Sequence, residues 1–403
     1  MKTINGGVCA AKGFKAAGVH AGIRKNKTKK DLSLIVSESA ASVACVYTTN
    51  LVKGAPIAVT KKHVANGVAR AVVCNSGNAN TCNANGIEIA EEMCELTASA
   101  LGINADDVVV ASTGVIGQPL DITPIKNAMP ELVASLGDNS TDAAHGIMTT
   151  DTKLKEIAVS FDIGGVECKI GGIAKGSGMI HPDMATMLVF ITTDCKISAE
   201  MLSKALKSDI ENTFNMVSVD GDTSTNDMVT VLANGEAGNE LIDSEGKAFD
   251  SFMKALNSVT VYLCKCIAGD GEGATKMLEI EVNTAKDIAT AKTVAKSVVT
   301  SSLFKAAMFG ADANWGRVLC AIGYSKADVD VNKIDVSFKS KAGQITVCKN
   351  GAGVEFSEEL AKKILLEDEI TTVIALNDGL VSASAWGCDL TYDYVKINGD
   401  YRT

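Results

Sequence analysis

The sequence predicts a fold of the mixed α/β class. Short runs rich in β-branched residues, at 71–74 and 107–110, end at Asn- or Gly-rich loops and are typical of buried strands. The segment 87–101 between them has the apolar spacing of an amphipathic helix. With 403 residues, of which 46% are hydrophobic and 21% charged, the chain resembles an ordinary globular protein that buries a large core.

The second half of the chain continues the alternation of strands and helices. Ser198 is suited to cap a helix, because its hydroxyl can accept a hydrogen bond from a free backbone N–H in the first turn. A second run with helical apolar spacing begins at Ile288. Five prolines and no low-complexity tract leave no obvious linker. We place a domain limit near residue 280, giving a main domain over 1–280 and a smaller one over 281–403.

The charge of the chain argues against a nucleic-acid partner. There are 38 basic and 48 acidic residues, and 38 − 48 gives a formal net charge of −10. The dense basic run at 24–30 precedes a predicted strand at 32–36. A solvated loop is the favoured interpretation of this run, with a phosphate-binding arm as the alternative.

The cysteine pattern favours reduced thiols rather than disulfides or a metal site. Twelve cysteines are scattered along the chain without a Cys-x-x-Cys pair, so we predict no metal. Cys45, Cys74 and Cys320 lie in apolar runs, where a free cysteine behaves as a small buried hydrophobe. Neither a signal-peptide core nor a run of about 18 apolar residues occurs, and we therefore expect a cytoplasmic protein.

The segment 175–188 contains a candidate nucleophile, Thr186. A threonine that is freed as a new N-terminus carries a hydroxyl and an α-amino group on one residue, so the amine can accept the hydroxyl proton. Upstream, Gly176 and Gly178 permit close backbone approach, and residues 187–191 are typical of a buried strand that would hold Thr186 at its head. An ordinary loop that runs into a core strand is the alternative.

Eight other stretches accompany this segment and point to one family. The Ala-Thr-Met-Leu run at 185–188 resembles the self-cleavage site of the ornithine acetyltransferase family, the glutamate N-acetyltransferases of arginine biosynthesis. In that family the Ala-Thr bond, here Ala185–Thr186, is cut and the threonine accepts the acetyl group. The other stretches that resemble the family occur in the same order along the chain, at 13–18, 75–80, 112–117, 149–152, 220–227, 269–276, 309–317 and 396–403.

The resemblance implies an architecture and an activity. It implies packed sheets flanked by helices, similar to N-terminal-nucleophile enzymes, with chains 1–185 and 186–403 interwoven in one core. The implied reaction moves an acetyl group from N2-acetylornithine to glutamate through an acetyl-threonine intermediate. No cofactor is implied, although acetyl-CoA remains open as a second donor. Two α and two β chains would form a heterotetramer.

The resemblance also assigns an oxyanion hole to Thr113 and Gly114, which would stabilise the negative charge of the tetrahedral intermediate. These residues follow the predicted strand 107–110. From the residues alone, a strand-to-helix turn that Ser112 or Thr113 caps is the favoured interpretation.

The substrate-binding set that the resemblance implies has both charged and polar members. Lys175 is suited to a substrate carboxylate, and Glu272, in a glycine-rich loop, to the ammonium of ornithine. The remaining members are Thr152, Asn398 and Thr403, together with Thr186 itself; Thr150 is the alternative to Thr152. Residues 392–397 look like a strand that would pin the C-terminal tail to the protein.

Two further functions stay open on the sequence. A related aminopeptidase of the N-terminal-nucleophile type would pass the acyl group to water instead of glutamate. An uncleaved binding or structural protein, in which Thr186 only caps a strand, would perform no chemistry. The charged pair Lys175 and Glu272 and the polar C-terminus favour the transferase.

Overall fold

The computed structural model describes residues 1–181 and 187–399. Within these residues it contains two β-sheets and eleven α-helices, which confirms the predicted mixed α/β class. The strands are β1 Lys2–Ile4, β2 Phe14–Val19, β3 Leu32–Tyr47, β4 Val68–Asn78, β5 Val108–Val115, β6 Lys155–Ile163, β7 Val166–Lys175, β8 Leu188–Thr193, β9 Val217–Ser218, β10 Met228–Ala233, β11 Met277–Ala285, β12 Asp335–Ser340, β13 Gly343–Lys349, β14 Ala352–Gly353, β15 Glu369–Ala375 and β16 Val381–Cys388.

The helices flank these sheets. They are α1 Ala55–His63, α2 Gly86–Leu101, α3 Thr123–Ala134, α4 Ser140–Ile147, α5 Ala199–Ile210, α6 Lys247–Gly269, α7 Ile288–Val299, α8 Ser302–Phe309, α9 Trp315–Gly323, α10 Glu358–Leu365 and α11 Tyr392–Asn398. The predicted helix at 87–101 is confirmed as α2. As predicted, Ser198 caps α5, since its side chain accepts a hydrogen bond from the Met201 N–H at 3.2 Å.

The first sheet has the strand order β1-β6-β7-β8-β10-β3-β4-β5, with β2 paired to β3. Two neighbouring pairs in it, β4 with β5 and β8 with β10, are parallel. The strand predicted at 71–74 lies inside β4, and the one predicted at 107–110 forms the buried start of β5 from Val108 onward. Because parallel strands end at the same edge of a sheet, the loops that follow β4 and β5 lie side by side.

The second sheet has the order β14-β13-β12-β15-β11-β16-β9. Helix α6 packs against β6 and β7 of the first sheet and against β11 and β16 of the second. The apolar faces of both sheets therefore contribute to one continuous core.

The predicted domain limit at residue 280 lies inside β11. Strand β9, in the same sheet as β11, comes from the earlier part of the chain. The structure therefore gives no reason to divide the chain at this residue, and the domains 1–280 and 281–403 remain a prediction.

The cysteines follow the prediction with one exception. Cys74 is buried and Cys45 half-buried, but Cys320 is exposed on α9, so its predicted burial is wrong. An apolar neighbourhood in sequence does not bury every member of a helix, because only one face meets the core. All twelve cysteines are free thiols. None of the helices formed by residues 1–181 and 187–399 is long and apolar enough to cross a membrane.

Candidate active site

A cleft opens where β5 and β7 end and β8 begins. Its cavity volume is about 110 Å³, and its wall combines apolar, hydroxyl and charged groups from segments that are far apart in sequence. The described residues that line it are Ala79, Thr113, Gly114, Ile116, Thr149, Thr150, Lys175, Gly178, Met179, Ser224, Thr225, Asn226, Glu272 and Asn398. Five residues assigned to the site by resemblance, Thr113, Gly114, Lys175, Glu272 and Asn398, thus meet in one place.

Thr113 and Gly114 lie near the end of β5, against β4. Gly114 has a φ of +135° and pairs with Gly77, and a Cβ atom built on it would lie 2.3 Å from the Gly77 carbonyl carbon. No side chain fits there, so this position requires glycine. Strand β5 continues to Val115 and the next α-helix begins only at Thr123, so neither Ser112 nor Thr113 caps a helix.

Lys175 is the last residue of β7 and is buried. Burial lowers the pKa of its ammonium group, because a low-dielectric surrounding disfavours the charged form. The nearby carboxylate of Asp151 opposes this effect. Burial also acts on Asp151, but the positive charges of Lys155 and Lys175 outweigh it and hold the Asp151 pKa below its ordinary value. The pKa of the Lys175 ammonium group therefore depends on its burial and on the charge of Asp151.

Glu272 is also buried, in the loop between α6 and β11. Its backbone N–H donates to the Ser177 carbonyl at 2.9 Å, which joins this loop to the glycine-rich segment after Lys175. A Cβ atom on Gly178 would lie 2.3 Å from Glu272 Oε2. The glycine therefore permits the close approach that the sequence predicted for this segment.

The C-terminal segment reaches the cleft as a helix. Asn398 Nδ2 donates to Glu272 Oε2 at 2.8 Å, and Tyr394 donates its hydroxyl to Asp220 Oδ2 at 3.3 Å. The predicted strand at 392–397 is wrong: these residues form α11. In a helix Tyr394 and Asn398 lie on one face and about 6 Å apart along the axis, whereas in a strand the same two positions would lie about 13 Å apart. Thr403 lies outside the described residues.

Thr152 lies outside the cleft. It is exposed, and its hydroxyl and backbone N–H both donate to the Asp270 carboxylate. Thr149 and Thr150 line the cleft instead. The lining of the cleft thus favours the alternative, Thr150, while the place of Thr152 in the substrate site stays a prediction.

The proposed nucleophile Thr186 and its partner at the cleavage site, Ala185, lie outside the described residues. Met187, the next residue, is buried, and its backbone N–H donates to Asp227 Oδ1 at 2.9 Å. Leu188 starts β8 and pairs with Lys175. The strand predicted at 187–191 is confirmed, and it begins beside the buried lysine of the cleft.

Comparison with known proteins identifies the family. The profile of the ArgJ family matches residues 15–403. The chain is 49% identical over 405 residues to the arginine biosynthesis bifunctional protein ArgJ of Caldanaerobacter subterraneus subsp. tengcongensis, and the match covers 100% of both chains. This chain belongs to the ArgJ family.

Other members of the ArgJ family agree with this assignment. ArgJ 1 of Clostridium acetobutylicum, also described as an arginine biosynthesis bifunctional protein, is 50% identical over 392 residues, which are 97% of this chain and 96% of that protein. The crystal structure of ArgJ from Bacillus halodurans is 47% identical, with a TM-score of 0.50 over 53% of this chain and 98% of that chain. The family resemblance inferred from the sequence is confirmed.

The ArgJ-family cleft contains a residue that sequence reasoning missed. The buried Asn226 donates from Nδ2 to the carbonyls of Ala79 at 2.6 Å and Ser112 at 2.9 Å. It also accepts the Thr81 hydroxyl at 2.6 Å. Asn226 thereby ties the segment before β10 to the ends of β4 and β5. The available signal was the uncharged polar run at 223–226, since four such residues in a row so close to a core strand are unusual for a simple turn.

Proposed function

We propose that this protein transfers an acetyl group from N2-acetylornithine to glutamate, giving ornithine and N-acetylglutamate. The observation that carries the proposal is the cleft itself, in which a buried lysine and a buried glutamate meet the Thr113–Gly114 pair beside the start of β8. Membership of the ArgJ family supports the same activity, since its relatives are described as bifunctional proteins of arginine biosynthesis.

The charges of the cleft suit this substrate. N2-acetylornithine has a carboxylate at one end and an ammonium group at the other. Lys175 supplies a cation for the carboxylate and Glu272 an anion for the ammonium. Asn398 orients the Glu272 carboxylate through its 2.8 Å hydrogen bond. A cation and an anion at fixed positions favour a substrate with a carboxylate at one end and an ammonium group at the other, and they set its orientation.

The first half of the reaction forms an ester. The free α-amino group of Thr186 accepts the proton of its own hydroxyl, and the hydroxyl oxygen attacks the acetyl carbonyl carbon of acetylornithine. Thr113 and Gly114 stabilise the resulting oxyanion. The C–N bond then breaks, the ornithine nitrogen takes the proton from the α-ammonium group, and ornithine leaves acetyl-threonine behind.

The second half reverses these steps with a different amine. The α-amino group of glutamate attacks the ester carbonyl, and Lys175 holds its carboxylate. The ester C–O bond breaks, the threonine oxygen recovers a proton, and N-acetylglutamate leaves. The nucleophile and its base both belong to Thr186, so the scheme needs no cofactor.

Self-cleavage between Ala185 and Thr186 generates the required α-amino group. The Thr186 hydroxyl attacks the Ala185 carbonyl, an ester replaces the peptide bond, and water opens the ester. Two observations support this step. Asp227 anchors the backbone directly after the bond, at Met187. The matched Bacillus halodurans chain spans about half of this one, as expected for a relative made of two polypeptides.

Three finer features belong to the same proposal. Acetyl-CoA serves as a second acetyl donor, which is consistent with the description of the relatives as bifunctional. Chains 1–185 and 186–403 assemble as two α and two β chains. The enzyme works in the cytoplasm, where its amino-acid substrates are made.

A transfer assay tests the proposal. Purified protein is incubated with N2-acetylornithine and glutamate, and ornithine, N-acetylglutamate and acetate are quantified by mass spectrometry. Equal amounts of ornithine and N-acetylglutamate support the transferase. Ornithine with acetate alone would indicate the hydrolase, and the absence of turnover would indicate a binding protein. The Thr186→Ala variant is the control and should be inactive; replacing acetylornithine with acetyl-CoA tests the second donor.

A further inference from the structure

Lys155 is a fully buried cation outside the cleft. It is the first residue of β6, and its Nζ lies 2.6 Å from Asp151 Oδ1 and 2.5 Å from Asp270 Oδ2. The side chains of Lys155 and Asp151 are 0% exposed, and that of Asp270 is 2% exposed. Burying three charges is costly even when they are paired, and apolar residues often serve a core better. The cluster therefore calls for a role other than simple stability.

The Asp151 end of this cluster fixes one wall of the cleft. Asp151 Oδ2 accepts the Thr149 N–H at 2.9 Å, and Thr149 lines the cleft with Thr150. Asp151 Oδ1 accepts the Gly176 N–H at 2.8 Å, directly after Lys175. The Asp151 carboxylate thus holds the backbone at Thr149 and at Gly176, on the two segments that form this wall.

The Asp270 end holds the segments next to Glu272. The Asp270 carboxylate accepts the N–H groups of Thr152 and Lys153 at 3.1 and 3.2 Å, and its backbone carbonyl accepts the Ser177 hydroxyl at 2.6 Å. Glu272 follows two residues later, and its own N–H bonds Ser177. Lys155 forms an ion pair with each of the two carboxylates and so joins the two ends of the cluster.

We propose that Lys155 is a positioning residue that fixes the distance between Lys175 and Glu272 and tunes the charge of Lys175. The proposal rests on the function proposed above, in which these two side chains hold the ends of the substrate. Lys155 does not touch the substrate; it acts through Asp151 and Asp270.

The charge effect has a defined sign. Among the described residues, the main groups that interact electrostatically with Lys175 are Asp151, Lys155, Asp227, Glu272 and Cys74. Burial lowers the Lys175 pKa most, Asp151 raises it, and the like charge of Lys155 lowers it. Substrate binding needs the charged ammonium, so kcat/KM falls as pH rises through the Lys175 pKa. Removal of Lys155 should move this alkaline limb to higher pH, and removal of the Asp151 charge should move it to lower pH.

Two variants test these opposite shifts. Lys155→Met keeps most of the length of the lysine side chain without its charge, and Asp151→Asn keeps the shape of the aspartate side chain without its charge. Besides the opposite shifts of the alkaline limb, Lys155→Met should lower kcat/KM roughly 100-fold, the scale of a small misplacement of binding groups. Lys155→Arg should keep the wild-type limb. Identical pH profiles of kcat/KM in all variants would overturn the proposal. The same holds if the alkaline limb of Lys155→Arg is displaced as far as that of Lys155→Met.

A direct titration makes the test independent of turnover. The protein is labelled with ¹³C at the lysine ε-carbon, and the Lys175 resonance is assigned by its loss in Lys175→Met. Its titration should shift up in pH in Lys155→Met and down in Asp151→Asn. If Lys155→Met does not fold, Asp151→Asn and the double variant Lys155→Met/Asp270→Asn decide the question, since each leaves fewer unpaired charges.

The outcomes separate this proposal from the proposed function. Wild-type protein without acetyl transfer would refute the function, while the titration would still show whether Lys155 tunes Lys175. Transfer by the wild type with an unshifted Lys175 titration in both variants would refute the positioning role and leave the function standing. Thermal unfolding of each variant confirms that the comparison is made between folded proteins.

Discussion

Asn398 and Glu272, 126 positions apart in the chain, share a 2.8 Å hydrogen bond from the amide nitrogen to carboxylate Oε2. The bond brings α11, the last described helix, against the buried charge of the cleft. A chain end is usually frayed unless something holds it. Here a second bond, from Tyr394 to Asp220, holds the same face of the helix. Helix α11 therefore forms part of the wall of the candidate active site.

Replacement of Asn398 should weaken substrate binding. Asn398→Ala removes the donor that orients the Glu272 carboxylate, and a hydrogen bond to a charged group contributes about 1.5–3 kcal/mol. We expect KM for N2-acetylornithine to rise at least about tenfold. Steady-state kinetics measure this, and Lys396→Ala, on the exposed face of the same helix, is the matched control.

Deletion of residues 398–403 extends this test to Thr403. The truncated protein should lose acetyl transfer and keep its fold, because the deleted residues are mostly polar. Circular dichroism checks the fold. Activity near that of the full chain would remove both Asn398 and Thr403 from the site.

Replacement of Thr113 should slow turnover without weakening binding. Thr113→Val keeps the shape of the side chain and removes the hydroxyl, and loss of one oxyanion donor typically costs about 100- to 1000-fold in kcat. Ser112→Ala is the control, since the buried Ser112 hydroxyl has no hydrogen-bond partner among residues 1–181 and 187–399. An increased KM with unchanged kcat would reassign Thr113 to ground-state binding. Gly114 offers no clean variant, because any Cβ there meets the Gly77 backbone.

Thr150 and Thr152 should respond differently to the same substitution. Thr150 lines the cleft, so Thr150→Val should raise KM for N2-acetylornithine about tenfold or more. Thr152 bonds Asp270 outside the cleft, so Thr152→Val should lower thermal stability and change KM less. The two KM values, measured side by side, decide the assignment. A larger KM effect at Thr152 would restore the role that family resemblance gave it.

Asp227 should make stability depend on pH. Burial raises the Asp227 pKa well above its ordinary value. The hydrogen bond from the Met187 N–H and the positive charge of Lys175 lower it, but burial outweighs them. The folded state thus holds a proton more tightly than the unfolded state, and this contribution to stability is lost as pH rises from the ordinary aspartate range through the raised folded pKa. Asparagine does not titrate. The free energy of unfolding of Asp227→Asn minus that of its parent should therefore increase with pH.

The measurement compares urea unfolding of Asp227→Asn and its parent at about pH 5 and pH 8, both in the uncut Thr186→Ala background. The common background removes any difference in self-cleavage. Asp222→Asn, an exposed carboxylate in the same segment, is the control. If the free energy of unfolding of the variant minus that of the parent stays constant or decreases between pH 5 and pH 8, the raised pKa of Asp227 is contradicted.

Much of the fold could be predicted from local pattern. The strands at 71–74 and 107–110 and the helices after Ser198 and Ile288 have periodicities that agree with their tertiary surroundings. The segment 392–397 does not: its aromatic and β-branched residues favour a strand, but it forms α11. Its hydrogen bonds to Asp220 and Glu272 join positions remote in sequence, which local pattern does not reveal.

Residues of the candidate site could be predicted from sequence only where a motif contained residue types with an evident chemical role. Lys175 and Glu272 are charged residues beside glycines, and the structure brings both to the cleft. The choice between Thr150 and Thr152 could not be made from sequence, because neighbouring threonines in one motif look alike until a partner such as Asp270 is known. Lys155 gave no signal, since a lysine at the start of a strand is ordinary until its burial between two carboxylates is seen.

The acetyl-enzyme intermediate offers the most direct test of the central claim. Freshly purified protein is incubated with N2-acetylornithine without glutamate, and its intact mass is measured before and after glutamate is added. We predict two chains, 1–185 and 186–403, with one acetyl group on the second chain at Thr186, which disappears when glutamate is added. A single uncut chain, or an acetyl group that stays absent or lies on another residue, would contradict the account.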